Sequence, residues 1–248
     1  MAEQRLDAAL AARGLARSRT HASTLIAGGE VTVDGRPAVK ASQKVADDAE
    51  LAVAASDHYV SRAAHKLIAA LDGFDVSPSG RVALDAGAST GGFSQVLFER
   101  GARTVLAVDV GHGQLDARLR GDPRVAVLER SNFRTLDPER VREAAGAPIG
   151  LATMDVSFIS AALLLPALSA AAPGADLLVL VKPQFEVGRE RVGKGGVVRD
   201  DALRAEAARS VAAAAARLGY ATAGEAESRL AGPKGNREIF LLLRPAGR

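Results

Sequence analysis

Polar side chains follow several apolar runs in the middle of the chain, at points where a strand would end. These residues are Asp109, Asn132, Asp155 and Lys182, and a loop reading Gly87-Ala-Ser-Thr-Gly91-Gly92 follows another such run. In an open α/β sheet, ligands bind beyond the carboxyl ends of the strands, so these groups are expected along one rim. A carboxylate there can accept hydrogen bonds from ribose hydroxyls, and a lysine can help to remove a proton from a weak acid such as a hydroxyl. The pattern therefore predicts a nucleotide-cofactor site beside a site of proton transfer.

The glycine loop narrows the choice of cofactor. Its spacing is not G-x-G-x-x-G, and no lysine follows Gly92 as in a phosphate-binding P-loop. The spacing fits S-adenosylmethionine, which has a ribose and an adenine but no pyrophosphate. Asn132 would then lie where it can hydrogen-bond the adenine. Two alternatives stay open: the glycines could serve only tight packing of a strand against a helix, and Asp109 could be a solvated strand-end residue.

Strands and helices alternate through the larger part of the chain. Apolar runs predict strands at 82–85, 104–109, 125–128, 151–154, 177–181 and 239–243. Helical patterns are clearest at 61–71, 93–100, 160–171 and 201–218. This alternation predicts an α/β fold with a mainly parallel sheet between two layers of helices.

A smaller module precedes this sheet. One helix is closed by Gly14, and a second begins after Ser18 and runs through Ile26. A hairpin with a type I′ turn at Asp34-Gly35 follows, and then a short strand at 50–53. After a short linker at 56–59 the larger unit begins, so we expect domains at 1–58 and 59–248.

Composition excludes several classes of protein. The chain has no cysteine, so disulfides and thiolate chemistry are excluded, and its four histidines have no metal-ligand spacing. The amino terminus lacks the apolar core of a signal peptide. The apolar stretch 161–181 is expected to be broken by Pro166 and by the turn residues after it into a helix, a turn and a strand. We expect a soluble, cytoplasmic protein without a metal; the net charge of +3 permits a nucleic-acid partner without requiring one.

The first module resembles the S4 RNA-binding domain over RLDAALAARGLARSRTHASTLIAGGEVTVDG, from Arg5 to Gly35. The resemblance implies that basic side chains here face an RNA phosphate backbone, which would make binding salt-dependent. The residues implied are Arg5, Arg17, Arg19 and Lys40. The alternative is a solvated basic surface without a ligand.

The larger unit resembles the FtsJ-type RNA 2′-O-methyltransferases, and the whole chain resembles the TlyA (hemolysin A) family. The motifs that carry this are YVSRAAHKL, DAGASTGGF, AVDVGHGQL, MDVSFIS, VKPQFEVG, GKGGVVRD and GNREIFLLL, in that order. The resemblance implies a Rossmann-like methyltransferase sheet and a catalytic tetrad of Lys66, Asp155, Lys182 and Glu238. It also implies cofactor contacts by Gly87, Ser89, Gly91, Gly92, Phe93, Asp109 and Asn132.

We therefore expect an enzyme that methylates the ribose 2′-hydroxyl of cytidine in 16S or 23S ribosomal RNA, or in both. Lys182 would deprotonate or polarise the hydroxyl, Asp155 and Glu238 would tune and orient it, and Lys66 would position the nucleotide. The expected partners are ribosomal RNA or ribosomal subunits, and a monomer is favoured. The alternatives are a non-catalytic ribosome assembly factor that binds RNA, and a pore-forming hemolysin. The loop 193–200 could be a lid, an RNA contact or a plain connection.

Overall fold

The computed structural model describes residues 3–16, 18–53, 58–232 and 234–247. The chain forms two compact units, Met1–His58 and Tyr59–Arg248. Each unit is described by itself below.

The first unit packs two helices against short strands. Its elements are β1 (Glu3–Arg5), α1 (Leu6–Ala12), α2 (Arg19–Ala27), β2 (Val31–Val33), β3 (Arg36–Pro37), β4 (Lys44–Ala46) and β5 (Leu51–Val53). Ser18 caps α2 by accepting a hydrogen bond from the backbone N–H of His21, as predicted. The hairpin of β2 and β3 is also confirmed, because Asp34 and Gly35 both have the positive φ that a type I′ turn requires. The pairing of β1 with β4 was not predicted.

The second unit is built on a larger sheet. Its elements are α3 (Ala63–Gly73), β6 (Val82–Ala86), α4 (Gly92–Glu99), β7 (Thr104–Val108), α5 (Ala117–Arg120), β8 (Val125–Leu128), α6 (Pro138–Ala145), β9 (Ile149–Met154), α7 (Ala161–Ala171), β10 (Asp176–Val181), α8 (Pro183–Glu186), a 3-10 turn (Arg189–Arg191), α9 (Asp201–Ala216), β11 (Tyr220–Glu227) and β12 (Ile239–Pro245). Among the described residues the sheet has seven strands, in the order β11-β12-β10-β9-β6-β7-β8. Within this part of the chain β12 runs against the other strands: it pairs antiparallel with both β10 and β11, and the remaining pairs are parallel. The predicted α/β class with a mainly parallel sheet is confirmed.

Helices cover both faces of this sheet. All six residues of β10 are buried, and their side chains alternate between the two faces. Leu177, Val179 and Val181 pack in the apolar cluster that includes α7 and α9, whereas Leu178 and Leu180 pack in the cluster that includes α3 and α4. A strand buried on both faces reads as a continuous apolar run, which is why this segment was predictable.

The stretch 161–181 divides into a helix, a turn and a strand as predicted, but Pro166 takes no part in the break. It lies inside α7, which ends at Ala171. A proline in a helix removes one backbone hydrogen bond, and here the burial of Leu164, Leu165 and Leu168 holds the helix together across it. Within the described ranges, none of the helices combines the length and the apolar character needed to cross a membrane.

The strand order places the predicted polar residues at one rim. The chain turns in opposite directions after β6, because β7 and β8 lie on one side of it and β9 and β10 on the other. In the register of the sheet, Ala86 at the end of β6 is level with Val108 of β7 and Met154 of β9. The loops that follow these three strands therefore start side by side, at the point where α/β sheets bind ligands.

Candidate active site

The glycine loop packs directly against the end of β9. Gly87 has a φ of +90°, and a Cβ atom built there would lie 2.5 Å from the carbonyl oxygen of Asp155. Gly91 precedes α4 with a φ of +100°, and it provides no side-chain cap for the first N–H groups of that helix. The loop is therefore held close to Asp155, and the N-terminus of α4, which Gly91 does not cap, lies at this rim.

Asp109 binds the loop with its carboxylate. Its Oδ2 accepts a hydrogen bond from the N–H of Ser89 at 2.9 Å, and its Oδ1 accepts one from the N–H of Gly111 at 2.7 Å. The side chain is only half-buried, so each oxygen keeps acceptor capacity for a ligand. The N–H of Ser131 donates to the carbonyl of Asp109, which brings the exposed Asn132 to the same rim.

Phe93 differs from the other predicted cofactor residues. Its side chain is 3% exposed and stacks on Phe240 with ring centroids 6.2 Å apart. Only its backbone, in the first turn of α4, can face the rim. The roles of Gly87, Ser89, Gly91, Gly92, Phe93, Asp109 and Asn132 in cofactor binding stay predictions.

The four residues of the predicted tetrad form two ion pairs. Lys182 Nζ lies 2.5 Å from Asp155 Oδ1, and it also donates a hydrogen bond to Ser157 Oγ at 2.9 Å. Lys66 Nζ donates to Glu238 Oε2 at 2.5 Å. All four side chains are at least 85% removed from solvent, so each charge depends on its partner rather than on water.

Both ion pairs border one cavity, which we call the Lys182 cavity. It has a volume of about 830 Å³, and both Lys182 and Glu238 line it. Ser157, Phe158 and Gln184 are further wall residues. A lysine amine and a carboxylate thus face a space large enough for a nucleotide, beside the glycine loop that contacts Asp155.

Phe158 lies at this cavity in an unusual conformation. Its φ is +69°, and its side chain is 91% exposed although it is a large apolar group. The ring packs only against Phe185, at a tilt of 50° and a centroid distance of 5.5 Å, among the described aromatic residues. Backbone strain and an exposed aromatic ring both cost stability, and such residues concentrate at ligand sites. Sequence reasoning gave Phe158 no role, although it lies in a quoted motif.

Glu186 links α8, which follows Lys182, to the start of α7, which follows the loop of Asp155. Its Oε2 accepts a hydrogen bond from Ser160 Oγ at 2.6 Å, and its Oε1 accepts one from the N–H of Ala161 at 2.7 Å. The carboxylate thereby caps α7, a position where Ser160 itself makes no side-chain cap. Burial raises the pKa of Glu186, and these hydrogen bonds oppose that rise.

Asp85 is a buried carboxyl beneath the site. It has no exposed surface, and it accepts hydrogen bonds from Ser94 Oγ at 2.7 Å and from Thr153 Oγ1 at 3.1 Å. The pKa of Asp85 is raised to about 7. Burial is the main cause and the charge of Asp155 adds to it, whereas these hydrogen bonds oppose the rise. The side chain thus joins α4 to the strand that leads to Asp155. Sequence reasoning did not single out this residue.

The loop 193–200 is anchored to the strand of Glu238. Asn236 is 2% exposed; its Oδ1 accepts a hydrogen bond from the N–H of Val198 at 2.9 Å, and its Nδ2 donates to the carbonyl of Gly196 at 2.8 Å. Arg204 donates to the carbonyls of Val198 and Arg199. These contacts make the loop a fixed wall of the cavity in this structure.

Two of the predicted RNA-binding residues of the first unit, Arg5 and Arg19, pair with Asp7. Arg5 and Arg19 both pair with this buried carboxylate at 3.0 Å, and hydrogen bonds from their guanidinium groups lower the pKa of Asp7 to about 2. Lys40 is exposed and lies next to Ala41, whose carbonyl accepts the N–H of Asp7. Arg17 lies outside the described residues. RNA binding by these four residues stays a prediction.

Comparisons with known proteins agree with the architecture of both units. The model of the FtsJ-like methyltransferases matches residues 59–245, and that of the S4 domain matches residues 4–51. The "16S/23S rRNA (cytidine-2'-O)-methyltransferase TlyA" of Mycobacterium tuberculosis is 53% identical over 97% of this chain and 89% of its own length. The "Hemolysin A" of Brachyspira hyodysenteriae is 36% identical over 95% of this chain and 98% of its own length.

A solved structure has the same fold over the whole length. A protein of Streptococcus thermophilus with a provisional hemolysin name is 37% identical, with a TM-score of 0.77 over 100% of this chain and 90% of its own. The family match covers most of the chain, and the similar relatives extend through both units. This chain belongs to the TlyA family of FtsJ-like methyltransferases, with an S4 domain at residues 4–51.

Proposed function

We propose that this protein transfers the methyl group of S-adenosylmethionine to the ribose 2′-hydroxyl of a cytidine in 16S or 23S ribosomal RNA, or in both. The observation that carries the proposal is the position of Lys182, whose amine is held by Asp155 and Ser157 at a nucleotide-sized cavity beside the glycine loop. The activity for which the M. tuberculosis relative is named supports cytidine in ribosomal RNA as the substrate.

The rim residues fit S-adenosylmethionine. Asp109 keeps free acceptor capacity for ribose hydroxyls, and the side-chain amide of Asn132 makes no donor hydrogen bond with the described residues. The missing Cβ at Gly87 keeps the loop against the carbonyl of Asp155, so a cofactor held by the loop lies next to the tetrad. When bound, the cofactor supplies an electrophilic methyl group.

The residues of the two ion pairs have different roles toward the substrate. Lys182 deprotonates or polarises the 2′-hydroxyl, and Asp155 fixes the direction of its amine. Glu238 also tunes and orients the hydroxyl, and Lys66, which is paired with Glu238, positions the nucleotide. Methyl transfer requires the hydroxyl oxygen, the methyl carbon and the sulfur in line, so positioning by these buried groups supplies a large part of the rate.

Phe158 supports the base of the target nucleotide. An exposed ring at the cavity can stack on a base that has left its helix, and base–aromatic stacking contributes about 1–3 kcal/mol. Single-stranded or extruded bases are the usual targets of such recognition in RNA.

The first unit supplies RNA affinity. Arg5 and Arg19 pair with Asp7, Lys40 is exposed, and Arg17 belongs to the same sequence motif as the two arginines. Binding to phosphates releases counterions, so the affinity should fall steeply with salt. In this proposal residues 1–58 bind ribosomal RNA or the ribosomal subunit, and residues 59–248 catalyse the transfer.

Ribosomal subunits incubated with labelled S-adenosylmethionine test the catalytic role. We expect Lys182→Ala to lower the rate at least about 100-fold, the range for loss of a general acid–base group, while cofactor affinity is retained. The control is Arg103→Ala, an exposed residue at the amino end of β7, away from the rim. Undiminished transfer by Lys182→Ala would refute the assigned base, and a methyl group on a nucleobase instead of the 2′-oxygen would refute the reaction.

A further inference from the structure

The side chain of Gln184 has no hydrogen-bond partner at the Lys182 cavity. Its Oε1 is buried without a partner, and its Nε2 makes no hydrogen bond to any residue in the described part of the chain. A buried carbonyl oxygen without a partner is costly, and most such atoms in folded proteins are satisfied. An unsatisfied carboxamide in the wall of a substrate cavity indicates that the partner arrives with the substrate.

The position of Gln184 suits recognition of a base edge. It lies two residues after Lys182, the residue proposed to act on the ribose, and directly before Phe185, whose ring contacts Phe158. A nucleotide with its ribose at Lys182 and its base stacked on Phe158 would present the edge of that base to the α8 segment. The terminal torsion of a glutamine is broad, so the carboxamide can turn its oxygen and nitrogen toward this edge at little cost.

The chemistry of a carboxamide matches cytosine. A glutamine offers one acceptor beside a pair of donors, and cytosine offers its 4-amino donor beside the N3 acceptor. Two hydrogen bonds can form: the 4-amino group donates to Oε1, and Nε2 donates to N3. Uracil has the opposite order at these two positions and could bond the same carboxamide after it turns, so this contact positions the base rather than selecting it.

We propose that Gln184 hydrogen-bonds the Watson–Crick edge of the target cytosine and holds this base in place for methyl transfer. The proposal rests on the proposed function, because it requires an RNA cytidine in the Lys182 cavity. Gln184 then contacts the substrate without taking part in the transfer of the methyl group.

The test removes one hydrogen-bonding group at a time, first the 4-amino group from the RNA and then the carboxamide from the protein. The methylated cytidine is first located by mapping, and it is then replaced in the ribosomal RNA by the pyrimidin-2-one ribonucleoside, which lacks only the 4-amino group. Both RNAs are assayed with the wild-type enzyme and with Gln184→Met, which keeps the length of the side chain but removes both polar ends. Cofactor affinity and thermal stability of the variant are measured in parallel.

The wild-type enzyme should lose about 10- to 100-fold in kcat/KM on the amine-free RNA, the range for a site whose buried polar group is left unpaired. Gln184→Met should lose a similar factor on cytidine RNA and show little further loss when the amine is removed. As a matched control in the same cavity, Ser157→Ala should slow the reaction but keep the full dependence on the amine, because Ser157 contacts Lys182.

Equal activity of the wild-type enzyme on both RNAs would overturn the proposal, and this arm needs no variant to fold. The proposal is also overturned if removal of the amine lowers kcat/KM by the same factor in Gln184→Met as in the wild type. The substitution would then act independently of the 4-amino group, as a purely structural change would. If the wild-type enzyme fails to methylate even the cytidine RNA at its 2′-oxygen, the proposed function fails instead.

Discussion

The buried carboxyl of Asp85 gives a quantitative prediction about stability and pH. Burial raises its pKa from 3.8 in the unfolded chain to about 7 in the folded protein. Between these values the folded protein holds a proton that the unfolded chain has released. The contribution of Asp85 to stability is therefore largest at low pH and falls as the pH rises through this interval.

The size of the effect follows from the shift. Each pH unit in the interval lowers the free energy of unfolding by about 1.4 kcal/mol, so the full interval of roughly three units amounts to about 4 kcal/mol. Asp85→Asn keeps the shape of the side chain but stays neutral, so it lacks this dependence. The stability of the variant relative to the wild type should therefore rise by about 3 kcal/mol between pH 5 and pH 7.5.

Urea unfolding followed by tyrosine fluorescence can measure this. The chain has no tryptophan, and both tyrosines, Tyr59 and Tyr220, lie in the second unit, so the signal reports the unit that contains Asp85. Ser94→Ala serves as an internal check. It removes a hydrogen bond that lowers the pKa of Asp85, so the pH-dependent region should extend to higher pH.

Parallel stability curves for the wild type and Asp85→Asn across this pH range would refute the reasoning. The same holds if the variant loses stability relative to the wild type as the pH rises. Either outcome would mean that the carboxyl is ionised in the folded protein throughout.

Three further predictions concern other contacts. Gly87→Ala should weaken binding of S-adenosylmethionine at least about tenfold in calorimetry, because the new Cβ would collide with the carbonyl of Asp155 at a positive φ; unchanged affinity would contradict this. Glu186→Ala should cost about 1–2 kcal/mol in urea unfolding and slow methyl transfer, since it removes the cap of α7, whereas Glu186→Gln should retain more of both. Asp7→Asn should destabilise the first unit above pH 4, and by far-UV circular dichroism the difference from wild type should shrink as the pH falls toward 2; a difference constant with pH would exclude the ion pairs as its cause.

The strands that form the rim could be predicted because their sequences are short, unbroken apolar runs. The bounds of β8 were predicted as the structure has them, and those of β10 to within one residue, since each is a continuous apolar run ended by a polar residue. The strand β11 was missed. It lies at the edge of the sheet with most of its residues exposed, so Tyr220–Glu227 shows no apolar pattern.

The side-chain contacts of the site could not be predicted from the residues of a single sequence alone. Lys66 and Glu238 are 172 positions apart, and only the family resemblance indicated that they act together. Glu186 and Gln184 both lie in a motif that was quoted, but their environments arise from the packing of two loops against each other. Residues whose importance comes from a missing or a distant partner have no local signal.

The anchored loop has a kinetic consequence. Because Asn236 holds Val198 and Gly196 to the segment that leads into β12, closing this wall over a substrate would require breaking two hydrogen bonds. The adjustment then falls to the RNA, whose nucleotide must swing out of its stack to enter. Turnover should therefore follow the opening rate of the RNA, and a mismatch or an abasic site opposite the target should speed the reaction without any change in the protein.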